Sequence, residues 1–221
     1  MTGLRENSKF LISCAARTGS TMLVHMLRSN PQIVAHGEVF NYGTIGALAG
    51  EYGQRRQCSA YEEKLEKLYR SDPKAFLYDI VFDTQHRSCA GFKIKTDELF
   101  RWRYRYHRKL LARDNEIKVV HLYRKDLISQ FVSWKVVNQQ TGVTLIHRAE
   151  ERPKVQPFRA STAAFRLFLR RVFKREALSL KLYQKHRSFV IAYEEAAAAS
   201  DDVLRNLQVF LGVKPQELEQ A

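Results

Sequence analysis

The sequence predicts an α/β fold: one domain over residues 1–221, with a parallel sheet of about five strands layered between helices on both faces. Two observations predict it. Short runs that are apolar on both faces alternate along the chain with longer segments of helical periodicity, and such strands belong in parallel sheets covered by helices. The length, 221 residues with 45% hydrophobic and 11% aromatic side chains, builds one sizeable core and is short for two.

The elements follow in order. Lys9–Ala15 (KFLISCA) reads as the first strand and enters a small-residue turn, Ala16–Thr21. Met22, Leu23, Met26 and Leu27 then take helical spacing as far as Asn30-Pro31, because proline disfavours helix at the residue before it. A second apolar run, Gln32–Ala35, comes next. Cys89–Lys95 (CAGFKIK) is a predicted strand, Thr96–Arg113 a helix, Ile117–Tyr123 (IKVVHLY) a strand and Asp126–Asn138 a helix. Gln139–Ala160 is polar, holds two prolines and reads as a long surface loop. A basic helix from about Ser161 to Lys185 leads to a strand at Ser188–Tyr193, and Asp201–Leu211 closes helically before Gly212.

Lys+Arg number 37 and Asp+Glu 23, a formal charge of +14. Two stretches carry it. Residues 101–125 hold nine basic and two acidic side chains, residues 161–190 hold eight and one, and the remainder nets zero. Such charge implies an anionic partner without choosing among nucleotide, nucleic acid, acidic glycan and membrane surface. Arg101–Arg108 interleaves cations with aromatics, a pattern that suits nucleic acid. Helical spacing of Leu99, Trp102, Arg103, Tyr106 and Leu110 offers the alternative, an inner stripe packed on the sheet with the cations in solvent. Likewise Arg166, Arg170, Arg171, Lys174 and Arg175 lie opposite Phe165, Phe168, Leu169, Val172 and Phe173 on the second basic helix.

No apolar stretch reaches the ~18 residues of a membrane span, and the N-terminal apolar run is too short for a signal-peptide core. The expectation is a cytoplasmic protein with no transmembrane segment. Cys14, Cys58 and Cys89 are odd in number, widely spaced and lack a CxxC pattern, so buried thiols are expected in place of disulfides or zinc. Seven histidines form no HxH or HxxxH pair, and no metal is expected.

Ligands of open α/β sheets bind at the carboxyl ends of the strands. There the first strand delivers Ala16-Arg17-Thr18-Gly19-Ser20-Thr21. Gly19 permits close backbone approach, Ser20 and Thr21 can cap the new helix, and the helix N–H groups favour a phosphate. Arg17 adds a bidentate cation. Aligning Gly19 with the second glycine of a Walker A loop puts Ser20 where the phosphate-binding lysine belongs. That argues against a nucleotide kinase or other P-loop phosphotransferase. From the residues alone three readings remain open: a phosphate loop of another kind, a simple capped turn, or a basic nucleic-acid-binding module.

The blocks CAARTGSTMLVHMLRSNPQIVAHGEVF, GFKIK, HLYRKDLISQFVSW and FVIAYEE…DDVLRNLQVFLGV, in that order from about Lys9 to Val213, resemble the sulfotransferases that use 3′-phosphoadenosine 5′-phosphosulfate (PAPS). The likeness is to the bacterial carbohydrate branch that includes trehalose 2-sulfotransferase and the Nod-factor sulfotransferase. It implies a P-loop-like fold, PAPS as sulfuryl donor with PAP as product, no metal, no nucleic-acid partner and a carbohydrate acceptor; the basic stretches leave open whether that acceptor is acidic or lipid-linked, and the oligomeric state stays open.

It also implies roles. Arg17, Thr18, Gly19, Ser20 and Thr21 would hold the 5′-phosphosulfate. Arg124, at the end of IKVVHLY, and Ser133 would hold the 3′-phosphate. Family members commonly leave seven residues between this pair; Arg124 and Ser133 leave eight and Lys125 leaves seven, so both cations stay candidates. Glu38, in HGEVF, matches the general base. His36 competes with it, and two residues apart in an extended segment the pair would share a face. Lys93, in GFKIK, either reaches the transferring group or rests at a strand edge with its head in solvent.

Overall fold

The computed structural model describes residues 7–41, 44–45, 48–51, 59–142, 154–198 and 201–219. Cys58 and residues 143–153 of the predicted loop lie outside the described residues.

The chain runs β1 (Ser8–Cys14), α1 (Ser20–Ser29), β2 (Ile33–Glu38), a short antiparallel ladder of β3 (Phe40–Asn41) and β4 (Thr44–Ile45), then α2 (Ser59–Ser71) and α3 (Pro73–Ala75). α3 widens into π-helical turns over Phe76–Val81. β5 (Cys89–Lys95), α4 (Thr96–Leu99), α5 (Arg105–Arg113), β6 (Lys118–Tyr123) and α6 (Leu127–Val136) follow. α7 (Thr162–Leu182), β7 (Ser188–Ala192), α8 (Tyr193–Ala197) and α9 (Asp201–Leu211) complete it. Five strands form one parallel sheet in the order β2-β5-β1-β6-β7, the three-layer α/β architecture the sequence predicts.

Alternation along the strands divides the core. Phe10, Ile12 and Cys14 of β1 face α1 and α9, packing with Leu23, Leu27, Leu207 and Leu211. Leu11, Phe92, Ile94 and Val119 point the other way, into Phe76, Leu77, Leu111 and Tyr183. A smaller cluster of Ala15, Phe131, Phe168 and Val172 joins α6 to α7 at the carboxyl edge. Cys14 and Cys89 are buried free thiols. Among the described residues no helix is long and apolar enough to cross a membrane.

Two local expectations are corrected. The predicted helix Thr96–Arg113 is broken: α4 stops at Leu99, a 3-10 turn occupies Trp102–Tyr104, and α5 restarts at Arg105. The break rotates the inward stripe, so Tyr104, His107 and Leu111 are buried while Trp102 is 75% exposed and Tyr106 47% exposed. On α7, Phe168 and Val172 turn inward as expected but Phe173 does not. α2 adds an element beyond those expected: Tyr61, Leu65 and Leu68 carry helical spacing onto the second core.

The topology sets the site. Chain leaving β1 passes toward β2 on one side, and chain leaving β6 passes toward β7 on the other. The crevice between neighbouring strands whose connections diverge is where such sheets bind ligands. Here the segment after β1 carries Arg17 and the segment after β6 carries Arg124.

Candidate active site at the carboxyl edge of the sheet

The turn between β1 and α1 is built for close approach. Arg17 and Gly19 both lie at positive φ, 66° and 73°. Glycine suits that region, and a Cβ on Gly19 would stand 2.2 Å from Cδ2 of Tyr193. Thr18, fully buried, folds its hydroxyl back onto the carbonyl of Ala15 at 2.9 Å. Gly19 occupies the N-cap position and has no side chain to offer; Ser20 is the first helical residue. The expected capping by Ser20 and Thr21 is therefore not what happens, because both already lie inside the helix. The first N–H groups of α1 are left for a ligand.

Two guanidinium groups meet over this opening. Arg17 Nε donates to Ser133 Oγ at 2.9 Å, and Arg124 donates from a terminal nitrogen to the carbonyl of Arg17 at 3.3 Å. Arg124 also stacks over the ring of Tyr193, 4.7 Å from its centroid. Its Nε is buried without a hydrogen-bond partner. Burial, and then the neighbouring charge of Arg124, press the pKa of Arg17 below the ordinary arginine value. Two cations half-withdrawn from water and set against each other form a site that an anion relieves. Gln130 of α6 ties the turn from below, donating to the carbonyl of Ala16 at 2.8 Å.

Lys125 goes elsewhere. It is exposed, its ammonium pairs with Glu195 at 2.7 Å, and its backbone N–H donates to Glu194. Of the two cations the spacing left open, Arg124 is the one that reaches Arg17, which in turn binds Ser133.

The carboxylate lies at the other end of the opening. Glu38 Oε1 stands 3.1 Å from Lys93 Nζ, and Glu38 Oε2 stands 2.6 Å from Lys95 Nζ. Lys93, 5% exposed, also donates to Thr21 Oγ1 at 2.6 Å, which ties the pair to the first turn of α1. Burial pushes the carboxyl of Glu38 up, and the two ammonium groups outweigh it and hold the pKa below the usual carboxylate value. The same pairing outweighs burial to raise Lys95. Glu98, 3.6 Å from Lys95, is raised by burial.

His36 and Glu38 do not share a face. His36 pairs with Phe92 across the ladder and Glu38 with Lys93, so the register slips by one residue at Gly37. Phe92 and Lys93 point to opposite sides of β5, and the bulge turns Glu38 toward α1 while His36 stays on the far face. There His36 is fully buried, accepts from the backbone N–H of Ala49 at 2.8 Å, and has its pKa lowered to about 4 by burial and the charge of Arg28. It is a neutral core imidazole. Gly37 is the only local signal of the bulge; the sequence offers Lys95 only alongside Lys93 as a lysine at the strand end, and nothing in it singles out Tyr193, although both lie in the quoted blocks. Among the described residues no group of three or more His, Cys, Asp or Glu is placed to hold a metal ion.

No protein-family model matches the chain, and no curated protein matches it in sequence. Solved structures do match its fold. One is the sulfotransferase domain from the curacin biosynthetic pathway, with a TM-score of 0.56 and 18% identity over 95% of this chain and 75% of that one. Another is a sulfotransferase from Alicyclobacillus acidocaldarius, with a TM-score of 0.50 and 17% identity over 94% of this chain and 81% of that one. The five-stranded parallel sheet with its flanking helices is thus the fold found in sulfotransferases.

Proposed function

We propose that this protein is a PAPS-dependent sulfotransferase that moves a sulfuryl group onto a carbohydrate hydroxyl. The observation that carries the reading is the facing pair Arg17 and Arg124 above the open N-terminus of α1, with the Glu38–Lys93 pair tied to the same helix through Thr21. The sulfotransferase fold and the quoted sequence blocks support it.

The residues divide the work. The N–H groups of Gly19, Ser20 and Thr21, with Arg17 and Thr18, hold the 5′-phosphate and receive the charge that grows on its bridging oxygen. Arg124 and Ser133 grip the 3′-phosphate, the forked guanidinium matching its oxygens. Lys93 sits where its ammonium neutralises the sulfuryl oxygens in flight. Glu38 is the base: the acceptor oxygen bonds to sulfur, the bond from sulfur to the phosphate oxygen breaks in line, and the hydroxyl proton passes to the carboxylate. Its depressed pKa keeps it ionised at neutral pH, and a placed carboxylate supplies roughly 10²–10⁴-fold. His36, neutral and sealed on the opposite face, takes no part.

Isothermal titration with PAP tests the donor site, and mass spectrometry of candidate glycans incubated with protein and PAPS tests the transfer. Micromolar PAP binding and a gain of one sulfuryl group are expected. PAPS failing to bind at micromolar concentration overturns the reading.

A further inference from the structure

A cavity of about 490 Å³ opens beside the turn that carries Arg17, a volume within the range of small-ligand sites. Its lining includes chain neighbours of residues at both ends of the proposed reaction centre. Ala16 contributes from the β1–α1 turn, and Trp134 stands next in sequence to Ser133, which binds Arg17. Asp97 contributes from α4, next in sequence to Glu98, which pairs with Lys95, itself the partner of Glu38.

The cavity has two chemistries. Its floor is aromatic: Phe131, Trp134 and Phe168 pack with ring centroids 5.3 to 6.4 Å apart. Its rim is cationic, formed by Arg101, Lys135, Arg171 and Arg175, and Asp97 is the one carboxylate among the lining residues. Asp97 lies 3.6 Å from Arg175. Arg171 has no carboxylate within ion-pair distance among the described residues. The two basic stretches of the sequence, far apart in the chain, thus converge here, Arg101 from the first and Arg171 and Arg175 from the second.

Resting on the transfer reading above, we infer that this cavity is the acceptor site and that it selects an amphiphilic anion: an apolar body on the aromatic floor with a carboxylate or similar charge held by Arg171 and Arg175. A neutral sugar or a purely apolar alcohol would bring no carboxylate to Arg171. A body and a charge on one molecule use both surfaces. An aromatic floor also accepts the C–H face of a sugar ring, so an acidic sugar with an alkyl chain meets the whole lining.

The test uses hexyl β-glucuronide against hexyl β-glucoside, which share ring and chain and differ by the carboxylate. Trp134 reports binding directly in a Trp102→Phe background, since the sequence has 2 tryptophans. The expected result, without PAP present, is at least about tenfold tighter binding of the glucuronide at low salt, reduced to parity in Arg171→Gln/Arg175→Gln with unchanged thermal unfolding. Saturating PAP should leave glucuronide binding intact. Equal affinity for the two glycosides, an unchanged preference in the double variant, or mutually exclusive binding of PAP and glucuronide each overturns the inference. Because the preference is read without donor, PAP failing to bind would sink the donor reading while leaving the cavity's selectivity measured on its own.

Discussion

The protein carries two groups of cations that contrast in setting. Arg17, Arg124 and Lys93 are drawn partly or wholly out of water, hydrogen-bonded to Ser133, the Arg17 carbonyl and Thr21, and fixed by stacking or ion pairing. Those of α7, such as Arg170, Arg171 and Lys174, stand exposed on a helix surface. The first group is held before any ligand arrives, so its charge acts at short range in a low dielectric. The second is screened by solvent and salt and acts mainly on encounter and affinity. Charge count alone points to the helices; the cations held in place before a ligand arrives gather instead at the switch point of the sheet.

This contrast can be broken or sharpened by substitution. The largest expected effect is on turnover: Glu38→Gln keeps the shape and the lysine contacts and removes the base, so kcat should fall roughly 10²–10⁴-fold with PAP affinity nearly unchanged. Next comes the donor grip. Arg124→Ala should weaken PAP by about tenfold or more, the scale of a lost charge-assisted bond, whereas Lys125→Ala, removing an exposed pair with Glu195, should change it less than about threefold. Equal losses by calorimetry would return the 3′-phosphate to Lys125.

Gly19→Ala tests the turn itself. The new Cβ meets Tyr193 and must adopt φ near 73°, at a cost on the order of 1–3 kcal/mol in chemical denaturation. Adding Tyr193→Ala should recover the steric part and leave the backbone part. Smallest on catalysis is neutralisation of Arg170, Arg171 and Lys174, which should raise acceptor KM and flatten its salt dependence while kcat stays within about twofold. A kcat loss comparable to that of Arg17→Ala would erase the distinction between the two groups.

Acid separates the faces of the sheet as well. His36 has its folded pKa depressed from 6.5 to about 4, so the unfolded chain takes up a proton as pH falls through 6.5 that the folded chain refuses. Stability is therefore present in full above pH 6.5 and declines toward pH 4, by roughly 2 kcal/mol at pH 5 from this residue. His107 and His121, also lowered to about 4 by burial, act with the same sign. Glu38, lowered below 4.5 by its lysines, contributes stability above its unfolded pKa and loses it only at lower pH. Urea midpoints should thus fall between pH 7 and 5, while the ionisation of Glu38, read from the acid limb of kcat/KM, should appear below pH 4.5.

Much of this was legible along the chain. β1, β5, β6, β7 and α9 fall within a residue or so of their sequence bounds, because apolar runs and periodicity are local signals. The RTGST turn was legible too, since glycine and small residues after an apolar strand announce it. The break at Phe100–Arg101 was not: the heptad-like spacing of Leu99, Trp102 and Tyr106 imitates one helix, and only packing of Tyr104 and His107 onto the second core shows which side turns inward.

By itself, then, the sequence determined the order of strands and helices, the phosphate-type turn and the excess of positive charge, all properties of neighbouring residues. The tertiary structure decided which charges meet. Arg17 finds Ser133 across 116 residues and Lys95 finds Glu38 across 57, because strand order brings the ends of β1, β5 and β6 together. A one-residue bulge at Gly37 then sets Glu38 beside Lys93 and Lys95 and leaves His36 on the far face, for the physical reason that in a strand a shift of one position exchanges one face for the other.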